Sequence, residues 1–442
     1  MSAALSQRPS PWHCRAFVVL AILLLLIAGR GWERAISERG NDLTIYLDAA
    51  AAMAGGSLVF DVDGYIYLPF FAALLACLAW LPVALQAAIW QLASWACAVG
   101  GLVGAARLVD PAGRWPWLGW VTTLVTLRLW DSNLSYGQAN AFTFAALIGA
   151  LHWIVAGRGG RAGALIGLAA AYKVLPGIGL VLLLVRRSVR GLGVGLATLV
   201  GLSLLVPPLF LGWAGSLDAH RDWFHVVAEP YLRGGQALLE ARPYVAGQSL
   251  LASAYRTLAA TPVTNSDPAA RAALAELDPG LVHGVVRGLV AAHFLALLFA
   301  LWRRRDRTDA ESVAWAGGLT LCTALIAGPL VHKAHVCWAA LGFAVCFARA
   351  ADARSARARA LVLVPLGLST LLISATTALL WGTDSAQQLV SRNAIYLGVE
   401  LLWLLLLYLG PPPPTDGRTW SATGHSRSAA GQQSLELVEV EH

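Results

Sequence analysis

Long runs of apolar residues recur along almost the whole of this 442-residue chain, at about 16–30, 66–81, 84–106, 115–130, 139–157, 163–185, 191–212, 281–302, 311–329, 334–349, 360–382 and 393–410. A run of about 20 such residues crosses the hydrocarbon core of a bilayer as a helix. Hydrocarbon offers the backbone no hydrogen-bonding partner, so each run must satisfy its own peptide groups, as helices do. The chain therefore reads as all-α, a polytopic integral membrane protein with about 11–13 transmembrane helices. Hydrophobic residues make up 57% and charged residues 13%, against roughly 45–50% and ~25% in soluble chains. That balance excludes a soluble globular enzyme, a disordered chain and a nucleic-acid-binding domain.

Lys and Arg number 32 against 25 Asp and Glu. The excess stands in short loops between apolar runs, where it orients helices rather than binding nucleic acid. Arg186, Arg187 and Arg190, the block Arg303–Arg307 and the cluster Arg349–Arg359 then lie inside. Residues 213–280 and the turn Gly328–His335 lie outside. Arg8 and Arg15 precede the run Phe17–Ala28, and no small-x-small cleavage site follows, so this segment reads as an uncleaved anchor with its N-terminus in the cytoplasm. The first half admits two arrangements. With every segment spanning once, Arg158 and Arg161 fall outside, against the charge rule. If 66–81 only dips into the membrane and 163–185 breaks at Lys173–Pro176, the conflict disappears. The second arrangement is favoured, because a lipid-facing Lys in mid-helix costs a few kcal/mol and Pro176 removes a helical hydrogen bond. Residues 1–410 thus form one membrane domain, with outside loops at 31–65 and 213–280. The tail 411–442, opening on four prolines, reads as a disordered cytoplasmic end. The six cysteines show no metal spacing and read as small core residues.

The polar residues concentrate outside. The loop 31–65 holds Glu33, Glu38, Asp42, Asp48, Asp61 and Asp63, and a loop of that length is more often functional than a plain connector. Asp42 and Tyr46 share a helix face, although Asp42 after Gly40 also suits a helix N-cap. Asp48 belongs to another face. Tyr65 and Tyr67 stand where the chain re-enters the membrane, as interface anchors or as part of a binding site. Gln138 and Asn140 place two amides at a membrane boundary, for sugar hydroxyls or for capping a helix. Lys173 either holds a phosphate as a point charge or snorkels. Gln248 and Arg256 belong to an amphipathic outside stretch that otherwise reads as an interfacial helix. His332 and His335 have a spacing that suits a metal. Lys333 between them favours a phosphate instead, and two water-facing histidines are the plain alternative.

The order of these features resembles the bacterial membrane mannosyltransferases of glycosyltransferase family 87 (the DUF2029 group), which have a GT-C fold. It runs Asp42…Tyr46, Tyr67-x-Pro69, Gly137-Gln138-x-Asn140, Ala171-Tyr-Lys173-x-x-Pro176, Gln248-Ser249-Leu250 and Gly328-Pro329…His335. Where the family carries a Ser-Pro…Trp-x-His-His run, this chain keeps His335 of the pair, with Ala334 beside it and His332 at the place of the Trp. The resemblance covers residues 40–340 and implies inverting transfer of mannose from a polyprenyl-phosphate donor to a glycan or glycolipid acceptor. The reaction would take place at the outer face of the bacterial cytoplasmic membrane, with Asp42 in a catalytic first outside loop as general base. Lys173, Arg256 and His335 would stabilise the departing phosphate, while Gln138 and Asn140 would orient sugar hydroxyls, with Tyr46, Tyr67 and Gln248 as further substrate contacts. No cofactor is firmly implied; Asp61-x-Asp63 leaves a divalent cation open. Two rivals are a secondary transporter, which predicts a second broken helix in the other half, and a non-catalytic envelope assembly protein, which predicts tolerance of substitution at Asp42.

Overall fold

The requirement that each backbone amide be satisfied within its own segment is met by helix throughout. The structure, a computed structural model, describes residues 11–37, 41–242, 245, 247–262, 271–374 and 376–412. Among these the only β pairing is an isolated bridge between Ala259 and Glu276. The tail expected to be disordered lies, from 413 onward, outside the described residues.

The helices run α1 (Pro11–Ile36), α2 (Asp42–Ala54), α3 (Pro69–Ala76), α4 (Val83–Val109), α5 (Leu118–Ser135), α6 (Asn140–Val155), α7 (Gly159–Tyr172), α8 (Leu180–Val185), α9 (Val189–Leu205), α10 (Pro208–Trp223), α11 (Glu229–Arg233), α12 (Gly235–Ala241), α13 (Leu250–Leu258), α14 (Pro279–Trp302), α15 (Ala310–Ala327), α16 (Ala340–Ala351), α17 (Ala356–Ser374), α18 (Ala378–Ser391) and α19 (Ala394–Leu409). Helices α1, α4, α14, α15 and α17, together with Lys333–Ala351, are each long and apolar enough to cross a membrane. The pair α9–α10, bent by 95°, would make a seventh crossing, and Asn140–Val155, Leu175–Val185 and Ala394–Leu409 are shorter apolar helices. Full-length spans are fewer than the apolar runs because several runs are divided between short helices. The chain is thus an all-α multi-pass membrane protein. Helices α15 and α16 are buried along most of their length, whereas α1, α14 and α17 turn mostly exposed apolar surface outward, as expected for a core surrounded by lipid-facing helices.

The apolar run 66–81 contributes only the 8-residue α3, about 12 Å at 1.5 Å per residue, too short to span. The run 163–185 is broken. Helix α7 stops at Lys173, whose backbone is extended (φ −154°, ψ 119°), and Pro176 opens a 3-10 turn, Leu175–Gly179, before α8. Small residues explain how the segment folds back. A Cβ on Gly163 would run into the carbonyl oxygen of Gly191, and one on Gly167 into that of Gly195, so α7 and α9 approach backbone to backbone and run parallel. Gly159 abuts Ser188, and Gly160 lies beside Arg190. Arg158 and Arg161 therefore share one end of the bundle with Arg186, whose guanidinium donates to the Arg307 carbonyl. The broken arrangement is the one adopted, and the basic loops gather at one end.

The opposite end receives α2. Helices α1 and α5 run parallel, with Phe17 against Gly119 and Gly31 against Leu134. Where they end, Asn41 donates to the Gly31 carbonyl and the Asp42 amide donates to the Tyr136 carbonyl. The three buried cysteines, Cys322, Cys337 and Cys346, sit in the core as expected, while Cys14 and Cys77 are exposed. Gly167→Leu should force α7 from α9. Overpacking of this kind costs about 1–3 kcal/mol, and the expected outcome is a lowered melting temperature in detergent; an unchanged one would contradict the seam.

Candidate active site

Asn41, not Asp42, caps α2. Its backbone is extended and its side-chain oxygen accepts from the Thr44 amide at 3.1 Å, as an N-cap residue does. The Asp42 side chain is thereby released from capping, and among the described residues no hydrogen bond reaches its carboxylate. It is half-buried in the first turn of α2. Burial raises the Asp42 carboxyl above its ordinary range, and the Lys173 ammonium offsets part of that rise. Asp48 points away from this side of α2 and is exposed, as are Asp61 and Asp63.

One turn beyond Asp42, Tyr46 is fully buried and its hydroxyl meets that of Tyr67 at 2.7 Å. Phe71 and Trp90 pack edge-on or tilted around this pair. Tyr65, also buried, bonds the Leu68 carbonyl and receives the Ala72 amide, so it secures the start of α3. The tyrosines at membrane re-entry are therefore interior residues and not interface anchors.

The turn Gly137–Asn140 is pressed against α2. Gly137 adopts φ +65°, and a Cβ there would strike the Cβ of Leu43, so glycine serves both the left-handed backbone and the close approach. Trp90 donates to the Gly137 carbonyl at 2.9 Å and Trp338 to the Asn140 carbonyl at 3.2 Å. Asn140, at the start of α6, accepts from Lys173 Nζ through its side-chain oxygen at 2.7 Å. Lys173 is 9% exposed, and Nζ lies 5.3 Å from the centroid of the Tyr67 ring. An ammonium carries three N–H donors, so Asn140 leaves it with capacity for an anionic ligand. Gln138 Oε1 and Asn140 Nδ2 are buried with no partner among the described residues, as is the Tyr172 hydroxyl. Buried polar atoms are rarely left so.

Lys173 and Tyr67 open onto a cavity of 290 Å³ whose far walls are apolar, formed by Val174, Leu175, Trp223, Val227, Leu232, Pro329 and Leu330. His335 lines the same cavity. It is the third residue of the 3-10 turn Lys333–Ala339, and its Nδ1 accepts from the His332 amide at 3.2 Å, so the neutral ring carries its proton on Nε2. With that nitrogen engaged, the two histidines do not form a free chelating pair. His335 is buried rather than water-facing, and among the described residues no three His, Cys, Asp or Glu side chains are grouped for a metal.

The bonds of Gln248 and Arg256 lead elsewhere. The Gln248 amides bond the carbonyls of Val331 and Val390, behind the turn that walls the cavity. Arg256, 2% exposed, donates through Nε and Nη2 to Asn393 Oδ1 and through Nη1 to the Val245 carbonyl. Helix α13, expected at a membrane surface, is instead buried on Leu250, Leu251, Ala252, Tyr255 and Arg256. Of the candidates, Tyr67, Lys173 and His335 line the cavity, and Tyr46 and Asn140 bond Tyr67 and Lys173 from behind. Asp42 lies near enough to Lys173 for their charges to interact, and Gln138 stands two residues before Asn140. Sequence reasoning missed Trp223 and Val227, which line the cavity and carry no motif of their own, and gave no role to Tyr172 beside Lys173.

The profile of glycosyltransferase family 87 matches residues 65–331. No curated protein and no solved structure gives a significant match. The matched residues take in Tyr67, Gln138, Asn140, Lys173, Gln248 and Arg256, while Asp42 and Tyr46 precede them and His335 follows.

Arg256→Met is expected to destabilise the protein by removing a buried charge-assisted network, a loss of about 1–3 kcal/mol. The check is a melting temperature in detergent; an unchanged value together with lost ligand binding would return Arg256 to the site.

Proposed function

The chain belongs to glycosyltransferase family 87; it is a membrane glycosyltransferase, and we propose that it transfers mannose, with inversion, from a polyprenyl-phosphate carrier to a glycan or glycolipid acceptor. The observation that carries this reading is the seating of Lys173 on the wall of a cavity with apolar sides, with the half-buried Asp42 near enough for the two charges to interact. A donor with a phosphate and a long hydrocarbon chain needs such a pairing of charge and grease. Asp42 takes the proton of the acceptor hydroxyl. That oxygen attacks the anomeric carbon from the side opposite the phosphate, the bond from anomeric carbon to phosphate oxygen breaks, and its electron pair leaves with the phosphate. Lys173 and the Nε2–H of His335 stabilise the departing charge. The free Gln138 Oε1 and Asn140 Nδ2 orient sugar hydroxyls, Tyr67 forms the floor, and Tyr46 holds Tyr67. Arg256 and Gln248 act as structural ties of the wall.

The acceptor is met outside the cell in this reading, at the outer face of the bacterial cytoplasmic membrane, since the basic loops gather at the opposite end and mark the cytoplasmic side. Family membership tells against a transporter, which the broken segment at Lys173 would otherwise suggest.

Membranes containing wild type or Asp42→Asn, supplied with radiolabelled polyprenyl-phosphate-mannose and a host lipid extract, test the assignment. Transfer should fall about 10²–10⁴-fold in Asp42→Asn, the usual worth of a general base, with folding intact. Equal transfer by both proteins would remove Asp42 from the reaction. The pH profile gives a second check. The base works ionised and its pKa is raised, so the rate should fall with acidification already above pH 3.8, the ordinary aspartate value. Lys173→Met removes the charge that lowers it, and should move this limb to higher pH in the residual activity. A limb unmoved, or moved to lower pH, would contradict the coupling.

A further inference from the structure

Beyond the reacting groups, one wall of the cavity belongs to a helix with an uncommon exposed surface. Helix α9 ends at Val206-Pro207-Pro208, and the helical stretch Pro208–Arg233 leaves it at 95°. Pro207 and Pro208 supply no amide to continue the helix. From there the sequence sorts by angle. Ser216, Ala219 and Val227 are buried against the protein. The helix is interrupted at Gly212 (φ +66°, ψ 174°); beyond it Trp213 and Leu217, 65% and 64% exposed, form with Phe224 a second apolar strip that is left open. Asp218, Arg221, His225 and Arg233 occupy the remaining face, where Arg221 pairs with Asp218 and Arg233 with Glu229. Over the helix that follows Gly212, at 100° per residue, the apolar strip is flanked by protein on one side and charge on the other.

The open strip continues, across the bend, the exposed apolar face of α9 formed by Leu196, Val200 and Leu204. A helix running at right angles to a membrane-spanning one, with an apolar strip, an opposite charged face and a Trp within the strip, has the build of an interfacial helix. Its inner side carries Trp223, Val227, Ala228 and Leu232 to the cavity, and Trp223 is tied by its indole N–H to the Ile66 carbonyl at 3.3 Å. Phe224–Ala228 form a π-helical turn where the helix meets the cavity, a feature frequent at functional sites.

We infer that the part of this stretch after Gly212, Trp213–Arg233, lies flat on the membrane surface with Trp213, Leu217 and Phe224 in the lipid, and that the hydrocarbon chain of the donor reaches the cavity beneath it along Val227, Ala228 and Leu232. The first part stands on the helix alone; the second rests on the transferase reading.

The test places a benzophenone-bearing phenylalanine at one position per protein, at Val200, Trp213, Leu217, Asp218 or His225. The full chain is reconstituted in phosphatidylcholine–phosphatidylglycerol vesicles containing radiolabelled phospholipid. Lipid adducts at Trp213 and Leu217, as at Val200 in α9, with little at Asp218 and His225, are expected. Labelling at Trp213 and Leu217 no greater than at Asp218 would overturn the placement, and so would adducts between two copies of the chain. For the second part, Ala228→Trp should lower transfer from a long polyprenyl-phosphate donor about ten-fold more than transfer from a two- or three-isoprene donor. An equal loss with both donors in folded protein, or no loss with either, would overturn the path. Absence of transfer by wild type from either donor would fail the transferase reading and leave the lipid adducts to decide the helix.

Discussion

A lysine ammonium buried inside a membrane bundle is tolerated only if the fold gives it polar company, and the arrangement around Lys173 follows from that constraint. Its partner is the side-chain oxygen of Asn140 at 2.7 Å, with the Tyr67 ring facing it. Asn140 is fixed in turn by Trp338 on its carbonyl and by the tight turn at Gly137, which only a residue without a side chain can press against Leu43. On the other side, the glycine seam between α7 and α9 lets α7 end where it does, and the extended backbone at Lys173 aims the chain into the cavity rather than onward as helix. Weakening any one of these supports would leave a charge without company in a poorly hydrated interior.

The same economy explains Asp42. Helix α2 needs a cap, and Asn41 supplies it, so the adjacent carboxylate is held by position rather than by bonds. A half-buried carboxylate near a buried ammonium, beside unpartnered amide atoms of Gln138 and Asn140, is an arrangement with more hydrogen-bonding capacity than the protein uses. The apolar walls beyond Lys173 give the site its second character. Together they suit a ligand that is charged at one point and hydrocarbon along the rest.

Much of this was legible in the residues and some was not. The apolar runs announced a helical membrane protein, and Lys173 with Pro176 announced the break, because both features act through the local backbone. The shared helix face of Asp42 and Tyr46 likewise announced α2. The placement of the helix carrying Arg256 was not legible, because amphipathic spacing marks an apolar face without saying whether protein or lipid covers it. The stretch at Leu250–Leu258 proved to be buried, whereas the exposed apolar strip lies at Trp213, Leu217 and Phe224. Asn41 and Asp42 are both good caps, and their division of labour depended on the Gly31 carbonyl, 10 residues away. Trp223 and Val227 became cavity residues only through the bend at Pro207, which turns the helix by an angle no hydropathy pattern encodes.

The account stands on Lys173 as the receiver of the donor phosphate. The measurement that addresses it most directly is a cryo-electron-microscopy structure of the full chain in lipid nanodiscs with a non-transferable polyprenyl-phosphonate sugar. The account predicts phosphonate density within hydrogen-bonding distance of Lys173 Nζ and the sugar between it and Asp42. Density held instead at Arg256 or at Lys333, with the 290 Å³ cavity occupied only by bilayer lipid, would contradict it.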